Sequence, residues 1–358
     1  MTRAPSARQC ARRCAAAVLP AVALILLMGC KAGSDAANAQ ALRIGLSMDS
    51  LRVERWKRDR DLFVARAEEL GAEVLVQSAD GDPVRQNSQA ENLLVQDVDV
   101  LVVIPRDGVA AARIVEAAHA QDVPVLAYDR IIRDCDLDLY ISFDNERVGY
   151  MQAEYLARVK PTGAYFLLGG APSDNNALLL REGQMRALQP FIDSGAIRIV
   201  GDQFTDNWDP DEALKHVENA LTANDNAIDA IVASNDGTAG GAIAALRAQG
   251  LDGAVAVSGQ DADVAACQRI VEGSQTVTVY KPLKPLATRA AELAVALAKG
   301  ETISTDGAIA NGKIDVPSVL LDPVQIDSEN LYSVVIGDGF HAIEDVYKNV
   351  PTDEWPDQ

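Results

Sequence analysis

Short apolar runs alternate with longer amphipathic segments from Leu42 onward. Consecutive apolar residues are typical of strands that helices cover on both faces, whereas apolar residues recurring every three or four positions are typical of helices. The predicted strands are 42–48, 72–77, 100–104, 123–128, 140–143, 164–168, 197–204, 228–233, 254–258 and 276–280. The predicted helices are 53–70, 82–96, 109–121, 145–159, 177–194, 210–223, 238–249, 263–272 and 283–299.

The alternation of strand and helix runs through two successive series of similar length, which the short strand 140–143 separates. Strands that are joined through helices pair in parallel, so each series predicts one doubly wound parallel sheet. The predicted fold class is therefore α/β, with two parallel-sheet lobes. The stretches 315–322 and 332–336 indicate short strands, but the pattern alone does not place them.

Residues 1–29 have the organisation of a secretory signal peptide, because four arginines in 3–13 precede the apolar run 15–29. The run is short and interrupted by Pro20, which argues against a membrane-spanning helix. Leu27-Met28-Gly29-Cys30 resembles the lipobox of bacterial lipoproteins, which predicts acylation of Cys30, with residues 30–41 as a flexible tether. The alternative is a plain cleaved signal in which Cys30 is incidental.

Composition and charge narrow the class of protein further. The chain has 358 residues, a length that suggests two domains, and a formal net charge of −20. An acidic chain of this kind lacks the basic face that nucleic-acid binding requires. Beyond the signal segment and Cys30, only Cys135 and Cys267 remain, too few for a disulfide framework. We expect two buried thiols, although pairing in an oxidising compartment stays open.

Polar and aromatic residues follow most of the predicted strands. In an open parallel sheet, ligands bind beyond the carboxyl ends of the strands, where the connecting loops meet. The residues found there are Asp49, Arg52, Arg55, Trp56, Asp80, Arg106, Asp107, Asp129, Arg130, Asp174, Asn175, Asn176, Asp206, Trp208, Ser234, Asn235, Asp236, Gln260, Asp261 and Lys281. Asp, Asn, Arg and Lys hold hydroxyl pairs, and an indole covers the C–H face of a sugar ring, so the set suits a neutral polyhydroxylated ligand.

Each of these residues also has a purely structural explanation. Trp56 lies on the apolar stripe of its helix, and Trp208 stands before a helix start as a hydrophobic staple would. Asp129 and Asn235 are common helix-capping residues. Taken together, however, the loops favour a shared ligand cleft, in which buried charges must pair; Asp129 with Arg130 and Asp261 with Lys281 are the expected pairs.

Signatures of catalysis or of a metal site are weak by comparison. The histidines lie in separate segments without ligand spacing, and the calcium-loop-like start Asp80-Gly81-Asp82 has Arg85 where the sharp turn requires Gly. No serine stands in a nucleophile elbow and no cysteine is near a histidine in sequence. The expectation is a binding protein that is not an enzyme and carries no metal or cofactor.

Several runs together resemble the type I periplasmic sugar-binding family, the sugar receptors of bacterial ABC importers. The runs are 51–56 (LRVERW), 126–130 (LAYDR), 140–145 (YISFDN), 174–177 (DNNA), 232–236 (VASND), 258–263 (SGQDAD) and 278–282 (TVYKP). The resemblance implies ligand contacts from Arg55, Trp56, Asp129, Arg130, Asp174, Asn176, Trp208, Asn235, Asp261 and Lys281. Leu180 stands where the resemblance implies an aromatic residue, and Phe204 stands where it implies Trp, which allows a different affinity or sugar preference.

The resemblance also implies the role and the layout of the protein. The expected ligand is an aldopentose, D-xylose first, with ribose, arabinose and glucose as alternatives. The expected partners are an ABC permease and its ATPase, for a monomeric, exported receptor in the periplasm or on the outer cell surface. The implied first lobe is 42–147 with 282–312 and the second is 148–281 with 313–345, followed by a tail at 346–358, with hinge crossings near 144–148, 281–282 and 311–313. A sugar-sensing regulator would instead need a basic helix-turn-helix before the first strand.

Overall fold

The computed structural model describes residues 41–52 and 54–356. The predicted signal peptide, Cys30 and the predicted tether apart from Ala41 lie outside these residues. Within them, no helix is both long enough and apolar enough to cross a bilayer.

Strands and helices alternate along the described chain nearly as predicted. The strands are β1 (Leu42–Met48), β2 (Ala72–Ser78), β3 (Val100–Val103), β4 (Val125–Tyr128), β5 (Leu139–Phe143), β6 (Gly163–Gly169), β7 (Ile197–Phe204), β8 (Ala230–Ala233), β9 (Ala256–Val257), β10 (Thr278–Tyr280), β11 (Gly307–Ala310), β12 (Asp315–Leu321) and β13 (Val324–Ile326). The helices are α1 (Glu54–Glu69), α2 (Pro83–Leu94), α3 (Ala112–His119), α4 (Asn145–Val159), α5 (Asn175–Asp193), α6 (Pro210–Ala223), α7 (Asp236–Ala248), α8 (Val264–Val271), α9 (Leu283–Ala298) and α10 (Ile343–Val346).

The first sheet has the strand order β11-β12-β5-β4-β3-β1-β2 and is parallel except for the antiparallel edge strand β11. Helices cover both faces: α1 and α9 pack together on one, and α2 and α3 lie on the other. In β3, Val100 and Val102 face the first of these cores whereas Leu101 and Val103 face the second. Burial on both faces explains why this strand is apolar without interruption. We call this sheet with its four helices the first lobe.

The second sheet has the order β7-β6-β8-β9 and is parallel throughout. Residues of α4 and α5 belong to the core on one face, and residues of α6 and α7 to the core on the other. The antiparallel pair β10-β13 lies alongside, bridged to the loop after β9 through Val279 and Gln260. We call this sheet, its helices and the β10-β13 pair the second lobe. Cys135 is buried in the first lobe and Cys267 in the second, so the two do not form a disulfide.

The chain crosses between the lobes after β5, after β10 and after β12. The first two follow Phe143 and Tyr280, the last residues of β5 and β10. The third differs, because β12 pairs in parallel with β5 from Ser318 opposite Tyr140 to Leu321 opposite Phe143. Residues 315–321 therefore belong to the first lobe rather than to the second, and the crossing follows Leu321 rather than lying near 311–313.

Candidate functional site

All ten residues predicted to contact a ligand line one cavity. It lies where the carboxyl ends of the strands of both sheets meet, and the space it encloses, part of it open to solvent, is about 400 Å³. Its lining residues are Arg55, Trp56, Asp129, Arg130, Asp174, Asn176, Trp208, Asn235, Gln260, Asp261 and Lys281. Gln260 is the addition, since it follows the predicted strand 254–258 but is absent from the ten. The departures at Leu180 and Phe204 are not among the lining residues.

Arg55, from the first turn of α1, joins carboxylates of both lobes. Its guanidinium donates to Asp129 of the first lobe at 3.0 Å and to Asp261 of the second at 3.1 Å. Lys281 Nζ, beyond β10, lies 3.2 Å from Asp261 and 3.8 Å from Asp129. Asp261 therefore pairs with Lys281 as predicted, while Asp129 pairs with Arg55 and Lys281 instead of with Arg130.

Asp129 sits at the end of β4 in a left-handed conformation with φ of 62°. Its carbonyl oxygen accepts hydrogen bonds from Tyr140, Ser142 and Asn176, which fixes the strand end. Burial alone would raise the pKa of the Asp129 carboxyl, but the nearby charges of Arg55, Lys281 and Arg130 outweigh it and lower that pKa below its ordinary value. Asp129 is thus ionised, and an ionised carboxylate only accepts hydrogen bonds.

Arg130 forms the second ion pair between the lobes. Its Nε lies 2.7 Å from Asp174 of the second lobe, and its Nη1 donates to Asp49 of the first at 2.8 Å. Asp174 also caps α5, where it accepts from the backbone N–H of Asn176 at 2.9 Å, and it accepts from the indole of Trp208 at 3.3 Å. One carboxylate therefore begins a helix, pairs with a cation and orients an aromatic ring.

The two tryptophans reach the cavity by different means. Trp56 is 2 % exposed, and the guanidinium carbons of Arg55 and Arg130 lie 4.5 and 5.4 Å from its ring centre. Trp208 ends a short turn with φ of 57°, and its ring covers Gly170, where a Cβ would overlap it. Both indoles thus have polar partners beside them and offer apolar surface to a ligand.

Capping and cavity lining coexist in Asn235. Its Oδ1 accepts from the backbone N–H of Thr238 at 2.9 Å, which completes a capping box at the start of α7. The structural role that the sequence offered as an alternative for Asn235 is therefore present together with its place in the cavity. Asp174 at the start of α5 follows the same rule.

Three lining residues carry buried polar atoms without a hydrogen-bond partner among the described residues. These atoms are Asn176 Oδ1, Gln260 Oε1 and Trp56 Nε1. Buried polar atoms in folded proteins are almost always paired. The described part of the chain therefore leaves these three polar groups beside the cavity unpaired.

Sequence reasoning missed the residues that support the site from behind. Asp59 accepts from Arg55 Nε at 3.2 Å and from the Tyr128 hydroxyl. It stands four positions after Arg55 on α1, the spacing of neighbours on a helix, so that spacing could have found it.

Known proteins share both the sequence and the fold of this chain. The family model described as "Periplasmic binding protein domain" matches residues 44–302. The D-xylose-binding periplasmic protein of Haemophilus influenzae is 55 % identical over 326 residues, which cover 91 % of this chain and 98 % of that protein. The D-xylose-binding periplasmic protein of Escherichia coli is 56 % identical over 306 residues, 86 % of this chain and 93 % of that one.

A solved structure agrees with these relatives in fold. The carbohydrate transporter solute-binding protein of Chloroflexus aurantiacus, in complex with D-glucose, superposes with a TM-score of 0.80 at 33 % identity, covering 86 % of this chain and 98 % of that one. The prediction of a two-lobed α/β binding protein that is not an enzyme is thereby confirmed. The chain belongs to the periplasmic binding protein family and has its type I fold.

Proposed function

We propose that this protein binds D-xylose in the cavity between its lobes and delivers it to an ABC import permease with its ATPase. The observation that carries the proposal is the convergence of ten residues, predicted from distant loops, on one cavity. The relatives from Haemophilus influenzae and Escherichia coli are D-xylose-binding periplasmic proteins, and the high identity supports the same sugar here.

The chemistry of the lining residues suits a neutral sugar. Asp129 and Asp261 accept from hydroxyl groups, while Arg55 and Lys281 donate to them. These charges are already paired with one another, which lowers the cost of holding them in a closed cavity. The indoles of Trp56 and Trp208 supply apolar surface for the C–H faces of the ring.

Closure of the two lobes over the sugar is the proposed motion. Polar contacts already cross between them around the cavity, including Arg55 with Asp261 and Arg130 with Asp174. The proposed hinge is the set of three crossings, so that the first lobe is 42–147 with 282–321 and the second lobe is 148–281 with 322–345. A ligand that contacts both lobes favours the closed state over the open one.

The test is calorimetric titration of the purified mature protein with D-xylose, D-ribose, L-arabinose and D-glucose. We expect D-xylose to bind most tightly. No heat with D-xylose together with clear binding of another sugar would reassign the ligand while leaving the receptor role intact. D-glucose is the alternative that an observation favours, because the similar Chloroflexus aurantiacus protein was solved with it.

We propose further that the protein is exported as a lipid-anchored monomer attached at Cys30. The lipobox-like Leu27–Cys30 carries this proposal, and the family's periplasmic members support export. Labelling with radioactive palmitate should mark the wild type and not the Cys30→Ser variant, and globomycin should block maturation. A wild type that is cleaved and secreted without being labelled would contradict lipidation and would mean that residues 1–29 are a plain signal peptide. Light scattering of the mature protein tests for the monomer.

A further inference from the structure

Three neighbouring loops of the second lobe carry lining residues, and one buried side chain connects them. Asn235 begins α7, Asp261 follows β9, and Lys281 follows β10. Asp236, which is 2 % exposed, comes directly after Asn235. It is not itself a lining residue of the cavity.

The carboxylate of Asp236 reaches the other two loops. It accepts from the backbone N–H of Asp263 at 3.0 Å, two residues beyond Asp261. It also accepts from the Thr278 hydroxyl at 2.9 Å, on the strand that leads to Lys281. Its own backbone N–H donates to the carbonyl of Gln260 at 3.0 Å. The three loops therefore share a single charged acceptor.

Further groups hold Asp236 itself. Gln275 Nε2 donates to its carboxylate at 2.8 Å, and Arg269 donates to its carbonyl oxygen at 2.9 Å and to Gln275 at 2.9 Å. Gly259 packs so closely that a Cβ there would overlap Asp236 Oδ1. The carboxylate thus accepts from Asp263, Gln275 and Thr278, and these hydrogen bonds fix its position.

The loop that carries Asp261 needs an external support. Asp261 has φ of 95° and Ala262 has φ of 53°, both in the left-handed region that residues other than glycine rarely adopt. Such a conformation persists only where surrounding contacts hold it. The hydrogen bond from Asp263 to Asp236 ties the loop directly after this strained pair, and Thr278 Oγ1 accepts from the Ala262 N–H at 3.3 Å.

Burying a charged carboxylate costs free energy, and the location of Asp236 beneath the site gives a reason why this one is buried. Burial raises the pKa of Asp236 to about 7, although the charge of Arg269 and the hydrogen bond from Gln275 lower it; the charge of Asp261 raises it further, and the bond from Asp263 lowers it. A perturbed carboxyl next to a cleft is characteristic of functional sites.

We propose that Asp236 is a positioning residue for sugar binding, which holds Asn235, Asp261 and Lys281 in their relative places without touching the sugar. The inference rests on the proposed function, because it explains how that site is kept in shape. It assigns to the second lobe a role like that of Asp59 behind Arg55 in the first.

The experiment measures sugar affinity by calorimetry at pH 8, where Asp236 is ionised. We expect Asp236→Ala to weaken binding roughly 10- to 100-fold. Asp236→Asn keeps one acceptor oxygen and should therefore weaken binding less than Asp236→Ala does. Thr278→Val removes one of the donors and should give a smaller loss; it replaces the first variant if that fails to fold. Asp229→Asn is the matched control, because that carboxylate also accepts a backbone N–H, from Ala164 at 2.7 Å, but at the opposite end of β8.

A double-mutant cycle separates positioning from general destabilisation. In the Asp261→Asn background, Asp236→Ala should cost clearly less than it does in the wild type, because much of what it positions is already lost. Full additivity, or wild-type affinity in a folded Asp236→Ala variant, would overturn the proposal. Failure of the proposed function is a different result, since the wild type itself would then bind no sugar.

Discussion

Several side chains that line the cavity also have a structural role. Asp174 caps α5, pairs with Arg130 and orients Trp208, so its position is set by the helix before any ligand arrives. Asn235 caps α7 in the same manner. Because a capping side chain is held by backbone N–H groups, these residues are preorganised, which reduces the entropy lost on binding.

Gly170 determines whether Trp208 can reach the cavity. We expect Gly170→Ala to push the indole away, because the new methyl group would occupy the space of the ring, and to reduce sugar affinity nearly as much as Trp208→Ala. Calorimetry with D-xylose measures the loss. Gly307→Ala is the control, since Gly307 has a negative φ and no atom within 4 Å of the added methyl group. Unchanged affinity in Gly170→Ala would show that Trp208 does not contribute.

Asp236 gives a pH dependence whose sign follows from its pKa. Its pKa in the fold is about 7, above the ordinary value for Asp, so its contribution to stability is complete at low pH and is lost as the pH rises toward 7. The free energy of unfolding of the wild type, minus that of Asp236→Asn, should fall by about 1 kcal/mol per pH unit from pH 5 to 7 and then level off. Urea unfolding at pH 5, 6, 7 and 8 measures it, and a constant difference would contradict the assignment.

For some residues, the position at the end of a predicted strand was enough to predict where the side chain lies. Strand ends in one parallel sheet meet at one edge, so Asp49 and Asp129 of the first lobe could be placed together without coordinates, as could Asp174 and Asn235 of the second. The pairing of Arg130 with Asp174 could not be predicted, because it joins two lobes whose relative placement no local pattern records. Asp236 stood among the strand-end residues, but its hydrogen bonds to two other loops are visible only in three dimensions.

At the level of elements, apolar runs and helix signals gave most boundaries. Asn145–Val159 and Pro210–Ala223 agree with prediction at both ends, and each begins with a capping Asp. The exception is β12, whose residues lie in the first lobe although the chain has by then passed through the second. Hydrophobic pattern shows that a strand is present but not which sheet accepts it, and the partner β5 is distant in sequence.

Helix α1 carries both a cation that lines the cavity, Arg55, and a carboxylate that holds it, Asp59. Asp59 accepts from Arg55 and from Tyr128, and burial raises the pKa of Asp59 although Arg55 opposes that shift. We expect Asp59→Asn to weaken sugar binding roughly tenfold, because Arg55 loses a charged partner that orients it. Asp61→Asn on the exposed face of the same helix is the control. If both variants bind like the wild type, Arg55 is positioned by Asp129 and Asp261 alone.

At the level of the whole molecule, the contacts between the lobes around the cavity are polar. Arg55 with Asp261, Arg130 with Asp174, Asn176 with Asp129, and the Gly108 N–H with the Ser173 carbonyl all cross the cleft. When the lobes separate, each of these groups exchanges its partner for water, so each contact adds only about 1 kcal/mol to closure. A sugar that bonds to both lobes adds interactions that exist in the closed state alone, and it therefore decides the balance.

This balance leads to a prediction for the protein in solution. Small-angle scattering should show a smaller radius of gyration with saturating D-xylose than without it, because the sugar shifts the population toward the closed lobes. Trp208→Ala at the same sugar concentration should keep the radius of gyration of the free protein, because it lacks the indole that we expect to cover one face of the sugar ring. A wild type whose radius is already that of the sugar-bound form would mean that the contacts between the lobes suffice for closure. The cross-lobe ion pairs, rather than the ligand, would then set the resting state.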